Sequence, residues 1–398
     1  MGDRLKTIAL PIHVLIIGGG LGGLCLAQGL KKSGIRVAVY ERDNSAQFRN
    51  QGYRISIKNE GSQALRDCLP ENLFQLCVAT AIKTATRLVF LDQQLHVKFA
   101  KPQPQSPIPD ELGFGVNRLT LREILLAGLE DVVHFGKMCE RFEQVEGCQV
   151  RASFAGGTAA TGDLLVGADG THSVTRTLIV PDARINTLHN AVYGKTLIRS
   201  NTLDWMPEIL VDSFNQIVGY DGTGMSVATC RQVESAATAT AKFAPTLHLT
   251  DMPGYFSWAL SLTEEWRDAD GPALHQHARS LVKEWHPALR RLIAEADIPA
   301  TFPVPITSAL PVKVWHTPNV TLLGDAIHTM SPGRGEGANV ALRDAQLLCH
   351  ALVDVAKNGA SLAQEKEHYE REMLRYGFEA VSNALNKPYL PSASQAGH

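Results

Sequence analysis

One stretch near the amino terminus constrains the fold of this chain more than any other. A short apolar run rich in β-branched residues, IHVLII over residues 12–17, leads directly into the glycine-rich segment GGGLGG. A helical pattern follows to about Lys32, and a second apolar run, Arg36 to Tyr40, ends at Glu41. Strand, glycines, helix, strand and acidic residue in this order predict a dinucleotide-binding βαβ unit.

Each part of this unit has a physical reason. Gly18 permits a tight turn, Gly20 lets the backbone approach a pyrophosphate, and Gly23 lets the helix pack close to the strand. The start of the helix offers unpaired N–H groups and a positive dipole end to phosphates. Glu41 can hold two ribose hydroxyls and repels a 2′-phosphate, so the unit suits FAD or NAD better than NADP. The candidate cofactor-binding residues here are Gly18, Gly20, Leu21, Gly22, Gly23, Glu41 and Arg42.

Two later stretches repeat the pattern of a buried strand that runs into a polar turn. The first is LLVGADG over residues 164–170, and the second is VTLLGDA over residues 320–326. The second continues into SPGRGEGAN, residues 331–339, and then into a long amphipathic helical pattern. Glycines and a proline before a helix start predict a second anion-binding cradle.

Together these motifs resemble the class A, single-component FAD-dependent monooxygenases, the group typified by para-hydroxybenzoate hydroxylase. The chain looks most similar to the branch that contains the tetracycline-inactivating monooxygenase and many hydroxylases and epoxidases of secondary metabolism. The motifs lie in the family order and cover most of the chain. They are the glycine motif with Glu41, the DG motif Gly167–Gly170, the GD motif Gly324–His328, and Pro332 with Gly335-x-Gly337-x-Asn339.

A further match is NRLTLRE, residues 117–123. Thr120 and Glu123 have the spacing of a capping box, which predicts that a helix begins there, just after Arg118. In the family the matching arginine reaches the FAD.

The resemblance implies an α/β fold. It consists of a Rossmann-like FAD-binding domain (GR2 type), an interleaved antiparallel-sheet substrate domain and a C-terminal helix. We expect the discontinuous FAD-binding domain at residues 1–80, 110–182 and 306–350, the substrate domain at 81–109 and 183–305, and the helical segment at 351–398. The clean alternation of apolar and polar residues from Tyr255 to Leu262 and the Asp221-Gly222 hairpin signal independently predict antiparallel strands in the middle of the chain.

The resemblance also implies roles for individual residues. Glu41 binds the adenosine ribose, Asp325 holds the ribityl chain, and Asp169 lies near the pyrophosphate and the NAD(P)H route. The residues implied to line or approach the isoalloxazine are Pro332, Gly335, Gly337, Ala338 and Asn339. No catalytic side chain is assigned, because the flavin carries the chemistry. Glu336 departs from the neutral or basic residue expected near the flavin, and we expect it to point into solvent.

The implied reaction is oxygen insertion by an NAD(P)H-dependent FAD monooxygenase. NADPH or NADH reduces the FAD, and a flavin C4a-hydroperoxide passes one oxygen atom of O₂ to a hydrophobic, aromatic or polycyclic metabolite. A flavin oxidase or Baeyer–Villiger oxygenase on the same fold stays open, as does a non-catalytic FAD-fold binding protein. The large side chains proposed for the substrate pocket are Phe214, Tyr220, Phe256 and Trp258. Arg49 is a weaker candidate for contact with flavin or NAD(P)H, and His328 is expected to be structural.

The overall charge and the cysteines exclude other classes of function. The net charge of −2 gives no basic surface for nucleic acid or an anionic membrane. The apolar stretch from Val14 to Leu30 contains six glycines and is too short to span a membrane comfortably. Seven cysteines without a CxxC pair predict neither disulfides nor a zinc site, so we expect a cytoplasmic protein. The substrate, the choice between NADPH and NADH, and the oligomeric state stay open.

Overall fold

The computed structural model describes residues 12–45, 53–106, 112–262 and 270–386 of the chain. Arg49, proposed above as a contact to flavin or NAD(P)H, lies outside these described residues. In chain order the strands are β1 (His13–Ile17), β2 (Arg36–Tyr40), β3 (Arg54–Ile57), β4 (Arg87–Asp92), β5 (Val97–Pro102), β6 (Phe114–Asn117), β7 (Val133–His134), β8 (Cys139–Val145), β9 (Gln149–Phe154), β10 (Ala159–Gly162), β11 (Leu164–Gly167), β12 (Ile185–Leu197), β13 (Ser213–Val218), β14 (Gly224–Cys230), β15 (Tyr255–Leu262), β16 (Phe302–Ala309) and β17 (Val320–Leu322).

The helices lie between these strands and after the last of them. In chain order they are α1 (Leu21–Lys32), α2 (Asn59–Cys68), α3 (Glu71–Ala79), α4 (Arg118–Leu126), α5 (Val174–Ile179), α6 (Thr202–Trp205), α7 (Ala236–Phe243), α8 (Gly271–Leu281), α9 (Pro287–Ala294), α10 (Asp325–His328), α11 (Gly337–Asn358) and α12 (Leu362–Asn386). Short 3₁₀ turns cover Glu208–Leu210, Ile298–Ala300 and Pro332–Arg334. Among the described residues, no helix is both long enough and apolar enough to cross a membrane.

A parallel five-stranded sheet organises the amino-terminal motif. Its strand order is β17-β11-β1-β2-β7, and all of its neighbouring strands are parallel. Helices α1 and α11 pack together on one face, and the antiparallel strands β8, β9 and β10 contribute to the core on the other face. Because both faces are covered, the strands are continuous apolar runs. The carboxyl ends of β1, β11 and β17, where ligands bind in open α/β sheets, are therefore neighbours.

A second, seven-stranded sheet has the order β16-β12-β15-β14-β13-β4-β5. All neighbouring pairs are antiparallel except β13 and β4. Strand β15 has the bounds predicted from its alternation, and the Asp221-Gly222 signal lies in the turn between β13 and β14. The apolar face of this sheet packs under α8 and α9, around Trp258 and Leu289.

The two sheets are interleaved in the chain, as the predicted fold class requires. Residues 87–102 leave the first sheet to add β4 and β5 to the second, and the chain returns to the first sheet before residues 185–309 complete the second. Strands β3 and β6 flank the first of these passages in sequence and pair with each other as an antiparallel two-stranded sheet. The α/β fold with a Rossmann-like unit is confirmed, and the exact domain boundaries stay a proposal.

Candidate active site

Three distant chain segments meet at the carboxyl ends of the parallel strands. Gly18 has a φ of +110°, and a Cβ atom on it would lie 2.3 Å from the carbonyl oxygen of Ala168. A Cβ atom on Gly22 would lie 2.8 Å from Cδ1 of Leu323. Contacts this close admit only glycine. The glycine motif, the DG motif and the GD motif therefore form one continuous surface.

Gly20 lies on the open side of this surface. A Cβ atom built on Gly20 would meet no other atom within 4 Å, in contrast to Gly18 and Gly22. Gly20 is also the N-cap of α1, it supplies no side-chain cap, and its carbonyl accepts the first intrahelical hydrogen bond from Leu24 at 2.9 Å. The N–H groups of the first turn consequently have no acceptor within the helix. This arrangement fits the pyrophosphate of a dinucleotide.

Glu41 is a buried carboxylate that closes the other side of the glycine turn. Its Oε2 accepts a hydrogen bond from the backbone N–H of Gly19 at 2.8 Å, and its Oε1 accepts one from Asp43 N–H at 2.8 Å. Both oxygens keep acceptor capacity for ribose hydroxyls. The neighbouring Arg42 is exposed.

Arg122 supports this carboxylate, although the sequence analysis assigned no role to this residue. Its Nε donates to the carbonyl oxygen of Gly19 at 3.0 Å, and its Nη2 lies 3.4 Å from Oε2 of Glu41. Arg122 is one helical turn after Arg118 on α4, a spacing that places both arginines on the same side of the helix. That spacing was the available signal for a second arginine at this site.

Helix α4 begins differently from the prediction. Asn117 is its N-cap, with Oδ1 accepting from the N–H groups of Leu119 at 2.9 Å and Thr120 at 3.3 Å. The capping box of Thr120 and Glu123 was wrong, because the Glu123 carboxylate instead accepts from the hydroxyl of Thr250 at 2.5 Å.

Arg118 is therefore the first residue of α4. Its guanidinium lies 5.9 Å from the ring centroid of Tyr53.

The Asp169 carboxylate of the DG motif is largely engaged by its own turn. It accepts hydrogen bonds from Ser173 Oγ at 2.5 Å and from the N–H of Thr175 at 3.1 Å. Arg176, on the helix that follows, donates to the carbonyl oxygen of Ala326 at 2.8 Å. Burial lowers the pKa of Arg176, although the nearby Asp169 carboxylate opposes this decrease. The hydrogen bond to Ala326 attaches α5, the helix that follows the DG motif, to the GD motif. Proximity of Asp169 to a pyrophosphate stays a prediction.

Asp325 presents an accessible carboxylate to the cleft. It makes no hydrogen bond or ion pair with any other residue that the structure describes, and its Oδ1 would lie 3.9 Å from a Cβ atom on Gly337. Desolvation by the surrounding protein raises the pKa of the Asp325 carboxyl group, while the charges of His328 and Arg118 oppose that increase. An acceptor left open at this point fits the hydroxyls of a ribityl chain.

A buried network behind Asp325 fixes the position of the GD motif. Asp344 accepts from Gly324 N–H at 2.7 Å and from the Tyr376 hydroxyl at 2.6 Å, and its Oδ2 lies 2.7 Å from Nε2 of His328. Desolvation opposes ionisation of His328, but the Asp344 carboxylate outweighs it and the pKa of His328 is raised. His328 is fully buried, so its contacts are those of a structural residue.

The segment from Pro332 to Asn339 forms the rim next to Asp325. Pro332 and Gly335 are exposed, Gly337 and Ala338 are half-buried, and Gly335 has a φ of +63°. Asn339 is buried, and its side chain binds backbone at the carboxyl end of β3: Oδ1 accepts from Lys58 N–H at 2.7 Å, and Nδ2 donates to Ser56 O at 2.9 Å. The α11 amino terminus, which has no side-chain cap, is thereby attached to β3.

Glu336 does not point freely into solvent. Its Oε1 lies 3.0 Å from Nζ of Lys58 and 3.0 Å from Nε of Arg334, and its side chain is only 17% exposed. The expectation of a solvated carboxylate was wrong because two cations, one close in sequence and one 278 residues away, neutralise it.

The structure corrects three of the four proposed pocket side chains, and Phe214 stays a prediction. Phe256 and Trp258 are fully buried in the core under α8 and α9, and Tyr220 is 71% exposed in a turn. Phe214 is half-buried, on a strand that pairs with β14. A small cavity of about 10 Å³ beside the sheet is lined by Tyr53, Tyr193, Gly194, Lys195, Tyr255, Ser257, Ala300 and Phe302.

Strand periodicity explains this error. Successive side chains of β15 alternate between the two faces, so the large apolar residues Phe256 and Trp258 share one face, and Tyr255 and Ser257 share the other. The apolar face is the core, and the mixed face borders the cavity. Among the cavity residues, Tyr193 and Phe302 stack with ring centroids 6.1 Å apart.

Comparisons with known proteins agree with this geometry. Residues 133–384 match the FAD binding domain family, and residues 16–59 match the NAD(P)-binding Rossmann-like domain family. The dual O-methyltransferase/FAD-dependent monooxygenase CTB3 of Cercospora beticola is 32% identical over 86% of this chain and 42% of that protein. The chain thus spans less than half the length of this relative. The FAD-dependent monooxygenase dbaB of Emericella nidulans is 28% identical over 86% of this chain and 87% of that protein.

Solved structures show the same fold. A protein of Photorhabdus luminescens, described as an FAD containing monooxygenase, has a TM-score of 0.80 and 29% identity over 94% of this chain and 96% of that one. Klebsiella pneumoniae HpxO, solved with FAD and uric acid, has a TM-score of 0.76 and 22% identity over 95% of this chain and 89% of that one. The resemblance to class A FAD-dependent monooxygenases and the prediction of FAD as cofactor are confirmed.

Proposed function

Because the chain belongs to the FAD-binding domain family and is similar along most of its length to FAD-dependent monooxygenases, we propose that it is an NAD(P)H-dependent FAD monooxygenase. The proposed reaction inserts one oxygen atom of O₂ into a hydrophobic, aromatic or polycyclic metabolite, by hydroxylation or epoxidation. The observation that carries the proposal is an accessible Asp325 carboxylate beside two uncapped helix amino termini, those of α1 and α11.

Different groups around the cleft would hold different parts of FAD. The first turn of α1 would donate backbone hydrogen bonds to the pyrophosphate next to Gly20, and Glu41 would accept from the ribose hydroxyls. Asp325 would accept from the ribityl hydroxyls. Bound FAD would supply the hydride acceptor and the centre that activates O₂.

The amino terminus of α11 would stabilise negative charge on the flavin ring. The N–H groups of Gly337 and Ala338 lie in the first turn of a 22-residue helix, where backbone donors and the helix dipole favour an anion. Asn339 positions this helix end against β3 without using its own side chain on the ligand.

The aromatic side chains beside the sheet would orient the substrate and exclude water, and they would have to move apart to admit it, because the cavity between them has a volume of only about 10 Å³. Tyr53, Tyr193 and Phe302 form an apolar wall, with Tyr53 and Tyr193 ring centroids 5.8 Å apart. Aromatic walls of this kind favour flat, apolar ligands. A dry site also protects a reactive oxygenating species from hydrolysis.

The test follows oxygen atoms from O₂ into product. FAD-loaded protein is incubated with NADPH or NADH, isotopically labelled O₂ and a panel of aromatic metabolites. We expect at least one compound to accelerate NAD(P)H oxidation and to gain one labelled oxygen atom. Product without label, or label only in hydrogen peroxide, would identify an oxidase instead. A wild-type protein that takes up no added FAD would remove every flavoenzyme interpretation.

A further inference from the structure

The two-stranded antiparallel sheet of β3 and β6 carries one arginine that lies near the seven-stranded sheet. Arg54, at the start of β3, is half-buried, and its Nη1 donates to Ser56 Oγ at 3.1 Å. Its guanidinium carbon lies 5.9 Å from the centroid of the Phe214 ring. No aspartate or glutamate of the described residues pairs with it.

Strand alternation places Arg54 on the side of the two-stranded sheet that faces the seven-stranded sheet. Ile57 and its partner Phe114 belong to the core of the FAD-binding unit, so Arg54 and Asn117 point to the opposite side. Asn117 confirms that direction, because its Nδ2 donates to the Tyr255 hydroxyl at 3.2 Å.

The same strand also borders the proposed flavin site. The carbonyl oxygen of Ser56 accepts a hydrogen bond from Asn339 at the start of α11, at 2.9 Å. Strand β3 therefore lies between the rim that would hold the flavin ring and the sheet that borders the cavity. Tyr53 precedes Arg54 in the chain, Tyr255 accepts a hydrogen bond from Asn117, the β6 partner of Arg54, and both tyrosines line that cavity.

Two lysines near the cleft are already neutralised. Nζ of Lys195 lies 3.6 Å from Oδ2 of Asp297, and Nζ of Lys58 lies 3.0 Å from Oε1 of Glu336. Arg54 has five N–H donors on a half-buried guanidinium, and its one side-chain hydrogen bond to a described residue goes to a hydroxyl, so its charge is incompletely compensated. An anionic oxygen that enters the cleft would form charge-assisted hydrogen bonds with it.

We propose that Arg54 binds an anionic oxygen, a carboxylate or an ionised phenol, of an aromatic substrate in the cleft. The inference rests on the proposed function and narrows its substrate to aromatic acids or acidic phenols. Arg54 would therefore make the protein bind an anionic aromatic compound more tightly than an uncharged compound with the same rings. Its planar guanidinium matches the two oxygens of a carboxylate, and its permanent charge attracts either a carboxylate or an ionised phenol.

Binding to the FAD-loaded protein tests this without turnover. Calorimetry compares 2-naphthoate with 2-naphthamide, and ionised 2,4-dinitro-1-naphthol with its methyl ether. We expect wild type to bind the anion of at least one pair about tenfold or more tightly than its neutral partner. The pair that shows the preference identifies carboxylate or phenolate as the recognised group.

Variants assign the preference to one side chain. Arg54→Gln should bring the ratio of the two affinities to about one while FAD content stays unchanged, and Arg54→Lys should retain part of the preference. Arg290→Gln, an exposed arginine of α9 across the sheet, is the matched control and should keep the wild-type ratio.

Two results would overturn the assignment. One is that wild type prefers neither anion, or binds none of the four probes. The other is that the preference survives in Arg54→Gln, most clearly if Lys195→Gln removes it instead. Since none of these measurements needs NAD(P)H or O₂, either result leaves the oxygen-labelling test of the proposed function untouched.

Discussion

Nη2 of Arg122 lies 3.4 Å from Oε2 of Glu41, and both side chains are buried beneath the glycine turn. The pair joins α4 to the end of β2, and Nη1 of the same arginine lies 4.0 Å from Oδ2 of Asp43. One guanidinium therefore compensates two buried carboxylates. It also fixes the acid that would receive the ribose of FAD.

Replacement of Arg122 by Met should weaken both the fold and the cofactor site. Removal of one partner from a buried ion pair leaves charge without compensation, which costs about 3 kcal/mol in the free energy of unfolding. FAD affinity should fall as well, because Glu41 loses its support. Denaturant unfolding and FAD titration measure the two effects. The exposed Arg371→Met should change the unfolding free energy by less than about 0.5 kcal/mol, and equal stability of both variants would contradict the argument.

Gly20→Val should separate binding from folding. No atom lies within 4 Å of a Cβ atom at this position, and its φ of −79° is allowed for any residue, so the apoprotein should remain stable. A side chain there blocks the approach of a pyrophosphate, so FAD binding should fall about a hundredfold or more, as expected when several backbone hydrogen bonds are lost. Gly18→Val is the opposite case, since its Cβ atom meets Ala168 O and the fold itself should fail. A Gly20→Val protein with wild-type FAD affinity would place the pyrophosphate elsewhere.

Asp325→Asn should lose FAD without losing the fold. Within the described part of the chain its carboxylate has no hydrogen-bonded partner, so the free energy of unfolding of the apoprotein should change by less than about 0.5 kcal/mol. Flavin absorbance after gel filtration reports FAD retention. Asp344→Asn provides the contrast, because that carboxylate accepts three buried contacts and its loss should destabilise the apoprotein. Full FAD retention in Asp325→Asn would remove its proposed role.

Local sequence was sufficient for the motifs whose chemistry is contained in a few adjacent residues. Gly18, Gly20 and Gly23 follow a strand and open a helix, and Glu41 ends the next strand, so their arrangement is set within one βαβ unit. The strand over residues 255–262 was equally readable, because alternation is a property of the segment itself.

Contacts between distant segments could not be predicted from the local sequence in the same way. Glu123 has the spacing of a capping box, but Thr250 satisfies it, and Asp344 meets Gly324 and Tyr376 only after folding. The prediction of Phe256 and Trp258 as pocket residues failed for a related reason. Large apolar side chains on β15 show that one face of the strand is buried, but they do not show that helices α8 and α9, which follow later in the chain, cover that face.

Stability should decrease as the pH rises above the ordinary pKa of histidine. Asp344 raises the pKa of His328 from 6.5, so above that value the folded protein binds a proton that the unfolded chain has released. The contribution is fully present below pH 6.5 and is lost as the pH passes through the raised pKa. Denaturant unfolding of the apoprotein across this range should show the decline in wild type, and His328→Gln should lack that component. An identical pH dependence in both proteins would show that His328 is not charged in the fold.

Neighbouring positions of β15 provide the sharpest test of the corrected pocket. Phe256→Ala removes a fully buried ring from the core under α8 and α9, so the free energy of unfolding should fall by about 3–5 kcal/mol. Ser257→Leu adds volume on the cavity face, and we expect little change in stability but weaker binding of the aromatic probes. Because the two residues are adjacent and differ only in the face they occupy, each serves as the other's control. Probe affinity lost in Phe256→Ala under conditions where it is fully folded, and kept in Ser257→Leu, would restore the apolar face as the substrate side.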